Sequence, residues 1–484
     1  MFSNCQNTTN KILKSQNRRP VIYDRNGMLL ASDVKFYSVY ANPMKIKDKE
    51  KTASLLGSVF PEIEYSTLYD KLHKQSHFVW IKKNITPRKY QELLTLGIPG
   101  LYFETTYRRV YPQQNMFAHI IGYVNIDNSG IAGIEYFLNN HFMGEEIFLT
   151  LDHRVQYFLR KELKYVMKRY RALGASGIVI DVNNGDIIAM SSIPDFDPNK
   201  PYTNVTDAQR FNKTTLGIYE IGSIFKFFTL ALALQEKVVD LEESIFIQKP
   251  YYVAGFEIKD LFNMDYSTVR EIVTKSSNIG IAMIAQRLEI QQHKDFLISL
   301  GFADKLSLPM PEVTTPLFPM YWDTSTQITA SYGYGLSISL LHTIIAFAAL
   351  ANGGILHQPQ IFLSDQPVEG KRVIGRDISE MLRGVMAETV VLGTGKRSKI
   401  EGYNIGGKSG SAEKSILGKY RKDQNLASFI AVFPIEDPKY AILIMVDEPK
   451  REGFATGGII TAPSVKNVIE DIAVLLDNSI LKNL

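Results

Sequence analysis

The chain predicts an α+β protein: a smaller mixed N-terminal module, then a domain built on a five-stranded antiparallel sheet flanked by helices. Three observations carry this expectation. ASGIVIDVNNGDIIAMSS places two β-rich runs around Asn184-Gly185, the strongest short hairpin signal a sequence offers. ASFIAVFP and KYAILIMV form a second β pair near the C-terminus, around the turn IEDPK. Between these pairs, residues from about 209 to 400 are helix-rich. With a strand at 405–411, the hairpins come from opposite ends of one domain and enclose a helical insert.

Taken in order, RRPVIYDRNGMLLAS reads as a strand, a turn at Asn26-Gly27 and a second strand. YRRVYPQQNMFAHIIGYVN and SGIAGIEYFLNNHF follow, with Gly and Pro punctuation and no catalytic cluster, so residues 1–148 are expected to position or to interact. His119 lies in an apolar run and reads as a packed histidine. The second module is expected at 149–484. It opens with an Asp152 cap, after which Val155, Phe158, Leu159, Leu163, Val166 and Met167 recur at helical spacing. IFKFFTLALAL is apolar nearly all round and must be buried. A closing helix, VKNVIEDIAVLL, follows Pro463 and Ser464.

Composition narrows the function. Hydrophobic residues are 45% and charged residues 21%, an ordinary globular balance, and a net charge of +4 is too weak to argue for nucleic acid. Cys5 is the single cysteine and no H-E-x-x-H or similar ligand pair occurs, so no Cys-based metal site is expected. No run of eighteen apolar residues is present, and the polar first nineteen residues lack the apolar core of a signal peptide. Either the protein is cytosolic or a membrane anchor lies upstream of this sequence.

GYNIGGKSG, residues 402–410, fits two unrelated chemistries. It satisfies G-x-x-x-x-G-K-[ST], a phosphate-cradling loop, and the apolar strand ending at Asp447 would suit the accompanying magnesium acid. Such a loop needs a strand before it and a helix directly after it. Here GTGKRSKIEGYN precedes it and Gly410 breaks the position where helix should start. Too little chain remains for the alternating units of that fold. The other reading makes Lys408-Ser409-Gly410 the third motif of the serine acyl-transferring enzymes.

That reading needs S-x-x-K first. The pattern occurs at 32–35, 223–226, 411–414 and 479–482, so context decides. Ser223 leads into the buried apolar helix, whose N-terminus favours negative charge and puts Ser223 and Lys226 on one face. The second motif, Ser-x-Asn, is read at Ser276-Ser277-Asn278, although Ser15-Gln16-Asn17 shows how common the pattern is. Each motif alone reads equally well as a helix cap or a surface turn; their order makes the case. A serine hydroxyl needs a base, no histidine lies near the motifs, and a lysine serves only if burial and a nearby cation lower its pKa. Lys226, with Lys408 across from it, meets both conditions. Ser276 would relay the proton, Asn278 would bond a substrate amide, and Lys408, Ser409, Gly410 and Ser411 would form a strand edge for a peptide-like substrate. The backbone N–H groups of Ser223 and Ser411 would make the oxyanion hole.

At these residues the chain resembles the class B penicillin-binding proteins, the peptidoglycan D,D-transpeptidases. TLGIYEIGSIFKFFTLALAL, KSSNIGIAMIA, GYGLSISLLHTIIAFAALANGGILHQP, GGKSGSAEK and VDEPK…ATGGIITAPSVK look like family blocks, as do IPDFDPNKP, VIYDRNG, YP…AHIIGYVN and GIAGIEYFL. The first and the FDPNKP run look more like the cell-division branch than the elongation branch. The resemblance implies a pedestal or dimerisation-type module and a penicillin-binding domain whose Ser223 attacks the carbonyl between the terminal D-alanines of a stem peptide. It also implies covalent inhibition by β-lactams, no metal or cofactor, division-site protein partners and a glycan polymerase. The implied location is the inner membrane with the catalytic domain in the periplasm, held by an N-terminal anchor outside this sequence. Ser409 stands where the family usually has Thr. A β-lactamase or carboxypeptidase using the same serine, and a catalytically silent scaffold, are the alternatives.

Overall fold

The computed structural model describes residues 18–476 apart from 142, 143, 254, 262, 263, 365, 367, 417, 418 and 454. Cys5, the tripeptide at 15–17 and the S-x-x-K pattern at 479–482 lie outside the described residues. The turn expected at Asn26-Gly27 forms because Asp24 accepts from the N–H groups of Asn26 and Met28, and Gly27 takes a φ of 82°. It joins β1 (Val21–Tyr23) to the long β2 (Leu29–Ala41). Helices α1 (Lys49–Val59) and α2 (Tyr65–His73) follow, then β3 (Val79–Ile85), α3 (Pro87–Leu96) and β4 (Leu101–Val110). Both β3 and β4 pair with β2, while β5 (Glu146–Phe148) runs parallel to β1. Leu56, Leu68, Leu72 and Leu93 of the helices pack on Val39, Ala41 and Ile81 of the sheet. A buried ion cluster ties the module together: Glu135 accepts from Arg109 Nε at 2.6 Å and Arg19 Nε at 2.5 Å, and Arg109 reaches Asp33 at 3.3 Å.

The second module opens with α4 (His153–Arg169), capped by the Asp152 side chain as expected. The Asn184-Gly185 turn joins β6 (Gly174–Asp181) to β7 (Ile187–Ile193), with Gly185 at a φ of 80°. The helical insert holds α5 (Lys226–Gln235), α6 (Val269–Thr274), α7 (Asn278–Ala285), α8 (Leu340–Ala351) and α9 (Arg376–Val391). The chain then returns through β8 (Gly406–Ile416), β9 (Lys419–Phe433) and β10 (Tyr440–Asp447) to α10 (Ala462–Leu476). The closing helix thus starts just ahead of Pro463, tolerated because an N–H in the first turn has no intrahelical acceptor.

The sheet order is β8-β9-β10-β6-β7, antiparallel throughout, so the central strands come from opposite ends of the domain. Side chains alternate between two cores. Ile178, Ile180, Leu443 and Met445 face the insert, while Ala175, Val179, Ile442 and Ile444 face α4 and α10. Burial on both faces explains why these strands read as unbroken apolar runs. β8 stands at the edge, and that exposes the side of the strand on which the candidate site is built. It runs further than the 405–411 expected, because β9 continues alongside it past an irregularity at Glu413/Lys414. The modules meet closely: Arg25 pairs with Asp186, His153 with Asp24, and Asn199 Nδ2 donates to the Tyr111 carbonyl. Among the described residues no helix is long and apolar enough to cross a membrane.

Candidate active site

Ser223 sits in a 3-10 turn, Gly222–Phe225, which feeds directly into α5. The sequence dictates the seat of this turn. Gly222 has a φ of 58°, and a Cβ there would lie 2.3 Å from the Ser411 carbonyl oxygen. Gly333, at φ 87°, presses from the other side, where a Cβ would meet the Gly222 oxygen at 2.2 Å. Two glycines therefore let the backbone before Ser223 fit between β8 and the loop after Ser331.

Lys226, the first residue of α5, is wholly buried. Its Nζ donates to the Ser276 carbonyl at 2.7 Å, to Ser276 Oγ at 3.1 Å and to Asn278 Oδ1 at 2.8 Å. Lys408, equally buried, lies behind the same hydroxyl: its Nζ donates to Ser276 Oγ at 3.0 Å and to the Ser409 carbonyl at 3.1 Å. Ser276 Oγ thus stands between two amines. Burial, reinforced by the Lys408 cation, holds the Lys226 amine well below the ordinary lysine range, against the opposing pull of Asp260. Burial brings Lys408 down to about 7. The structure brings Lys226, Ser276, Asn278 and Lys408 into one hydrogen-bonded group, with Ser223 three residues from Lys226 on the adjoining turn.

Strand alternation separates the remaining motif residues. Lys408 projects towards the insert, on the face of Ile430 and Leu443. Ser409 projects to the other face, where its hydroxyl donates to Thr394 Oγ1 at 2.7 Å. Ser411 Oγ accepts from the Gly457 N–H at 3.0 Å. Any contact of Ser409 with a paired substrate therefore runs through its backbone. The outward edge of β8 carries the backbone groups of the odd-numbered residues: the Ser411 peptide faces Gly222, and the Glu413 N–H donates to Tyr334 Oη at 3.4 Å. At Gly410 a Cβ would fall 2.4 Å from Ser428 Oγ and 2.6 Å from the Ile221 oxygen, so the strand packs tightly there.

Sequence reasoning missed several neighbours. Asp260 caps the Ser276–Asn278 turn, Thr394 anchors Ser409, and Glu220 accepts from the Gly335 N–H at 2.7 Å and Tyr420 Oη at 3.1 Å. The rival motifs are accounted for. Lys408 and Ser409 lie inside a strand with no helix following, which removes the phosphate loop, and Asp447 is ion-paired with Lys414. Ser32 and Lys35 lie on β2, in the first module. His119 is packed edge-on to Phe196 and bonded to the Gln209 carbonyl. One acid and histidine group among the described residues, Asp24, Asp152 and His153, is compact enough to suggest a metal. Its carboxylates already accept from the backbone of Asn26, Met28 and His153 and from the Arg154 side chain.

Comparison with known proteins identifies the family and the fold. Residues 175–470 match the penicillin binding protein transpeptidase domain, and residues 14–146 match the penicillin-binding protein dimerisation domain. The chain is 34% identical to the probable peptidoglycan D,D-transpeptidase FtsI of Caulobacter vibrioides, over 94% of this chain and 81% of that one. It is 27% identical to the peptidoglycan D,D-transpeptidase FtsI of Escherichia coli, over 92% and 81%. Among solved structures, penicillin binding protein 2X from Streptococcus thermophilus shares the fold with a TM-score of 0.85 at 22% identity, covering 96% of this chain and 80% of that one. With both domain matches in order and a relative of this identity along nearly its whole length, the chain belongs to the penicillin-binding protein transpeptidase family, as an FtsI-like class B member.

Proposed function

We propose that this protein is a serine D,D-transpeptidase that cross-links peptidoglycan stem peptides during septal wall synthesis and is acylated by β-lactams. One observation carries the reading: a buried lysine, bonded to Ser276 and Asn278 and backed by a second buried lysine, one helical turn from Ser223. Ser223 Oγ attacks the carbonyl of the penultimate D-Ala, forming the ester as the bond to the terminal D-Ala breaks. Neutral Lys226 takes the serine proton, and Ser276 passes a proton to the departing amine. An acceptor amine on a second stem then attacks the ester, and the serine regains its proton. Asn278 bonds the substrate amide, and the β8 edge at 409–411 pairs with the substrate backbone. The Ser223 and Ser411 N–H groups bind the oxyanion, each typically worth about 3 kcal/mol. The fit of Gly222 against the Ser411 peptide supports this last role.

The finer assignments rest on the resemblance. They are an anchor upstream of the sequence that places the catalytic domain in the periplasm, and partnership with division-site proteins and a glycan polymerase. The boundary near Phe148 rests instead on the change from short mixed segments to the Asp152-capped helix. The test of the chemistry is intact mass after incubation with benzylpenicillin, for wild type and Ser223→Ala. The expected result is one stable adduct per wild-type chain and none on the variant. Labelling of Ser223→Ala would sink the assignment, and rapid loss of adduct with turnover would favour a β-lactamase.

A further inference from the structure

The Ser276–Asn278 turn is held at its start by α6, where the Ser276 and Ser277 N–H groups donate to the Val273 and Ile272 carbonyls, and at its end by a cap from Ser277 Oγ to the Gly280 N–H; a further loop holds its middle. Ser276 has a φ of 67°, a left-handed conformation that a residue with a Cβ adopts at a cost. Yet Ser276 and Asn278 must both point at Lys226 for that amine to keep its partners. Ser277, between them, is turned away, and its hydroxyl donates to Asp260 Oδ2 at 2.6 Å. The other oxygen of Asp260 accepts from the N–H of Asn278 at 2.5 Å and of Ile279 at 3.1 Å. The adjacent Lys259 carbonyl accepts from Asn278 Nδ2 at 2.9 Å, which orients the amide so that its oxygen faces Lys226. One short loop, following the strand Phe256–Ile258, thus holds this turn by side chain and by backbone.

We propose that Asp260 is a positioning residue for acylation, acting through the Ser276–Asn278 turn without touching the substrate. The inference rests on the acylation reading above. Geometry is one part of the role. The carboxylate satisfies N–H groups that open α7 and would otherwise be orphaned, and it favours the positive end of that helix. Charge is the second part. The charged groups acting on Lys226 are Lys408, from the edge strand, and Asp260, from this loop. Lys408 and burial favour the neutral amine; Asp260 favours the protonated one. Removing the negative charge makes the neutral base available at lower pH.

Two substitutions separate the parts. Asp260→Asn keeps an oxygen for the two N–H groups and removes the charge; Asp260→Ala removes both. The measurement is the rate constant for benzylpenicillin acylation across pH, by intact mass, with thermal unfolding and final adduct yield recorded for each protein. We expect Asp260→Ala to acylate about 10- to 100-fold more slowly, the cost of a lost, partly buried clamp of three hydrogen bonds. Asp260→Asn should lose less, and the acidic limb of its pH profile should move to lower pH. A folded Asp260→Ala chain acylating within about twofold of wild type at every pH would overturn the proposal. So would an unshifted acidic limb in Asp260→Asn, or a fall in adduct yield with an unchanged rate constant. Failure of folded wild type to label would instead remove the acylation reading beneath it.

Discussion

Gly222→Ala tests the geometry before the nucleophile most directly. The new methyl group would start 2.3 Å from the Ser411 carbonyl oxygen, while real Cβ contacts essentially never fall below 3.0 Å. Since the obstacle is backbone, the Ser223 turn and β8 must separate by about 0.7 Å or more, on the scale where a misplacement of ~1 Å costs ~10²-fold in rate. Retreat by rotating φ is resisted, because Gly333 presses on the Gly222 peptide from behind. The φ of 58° adds about 1–2 kcal/mol for a residue with a Cβ. The variant should therefore fold with somewhat reduced stability and acylate with benzylpenicillin roughly 100-fold more slowly, because the two proposed oxyanion donors, the Ser223 and Ser411 N–H groups, would no longer converge. Rapid-quench intact-mass kinetics gives the rate, and urea unfolding gives the stability. Acylation within about threefold of wild type would refute the claim that the Ser223–Ser411 spacing sets the reaction geometry.

Lys408→Met should abolish efficient acylation and stabilise the fold. Lys408 ionises at about 7 in the folded protein but near 10.4 when unfolded, so its burial penalty is full below about pH 7 and relaxes as pH rises towards about 10. The variant's advantage, roughly 2–4 kcal/mol by urea unfolding, should be largest near pH 6 and vanish near pH 10; a constant difference would contradict the assignment. Glu135→Ala removes the carboxylate shared by Arg19 and Arg109 and should destabilise the N-terminal module by about 3–5 kcal/mol. Penicillin labelling of the folded fraction should persist, since Ser223 and its partners lie elsewhere; calorimetry with labelling yield checks both halves.

What the sequence made legible was local. The Asn184-Gly185 hairpin, the Asp152 cap and the apolar strands Gly174–Asp181 and Tyr440–Asp447 follow from turn chemistry and periodicity within short windows. The extension of β8 beyond 411 was not legible, because Glu413 and Lys414 are polar and only partly buried and the pairing there is set by the length of the partner strand. At the site, the three motifs could be read because their residue types suit one acylation chemistry, and the fold brings Lys226, Ser276, Asn278 and Lys408 together. Asp260 could not: it is a lone acid in a loop, joined to Ser277 and Asn278 only through the fold. The turning of Ser409 away from Lys408 was already implied by strand alternation, since neighbours on a strand point to opposite faces.

Counting hydrogens around Lys226 gives the arrangement its direction. A neutral amine has two N–H bonds and one lone pair, yet Lys226 Nζ has three oxygens within bonding distance: the Ser276 carbonyl, Asn278 Oδ1 and Ser276 Oγ. The first two lack a hydrogen and must accept. If Lys226 is the base, the third contact therefore reverses, and the Ser276 hydroxyl donates into the lone pair while accepting from Lys408. The resting site then holds its base occupied and its proton carrier charged from behind. For Lys226 to receive the Ser223 proton in the proposed reaction, the Ser276 hydroxyl must swing away, and in that reaction it turns to the substrate nitrogen that needs a proton. Freeing the base and aiming the acid become one rotation about one bond, which requires both lysines to meet the same oxygen.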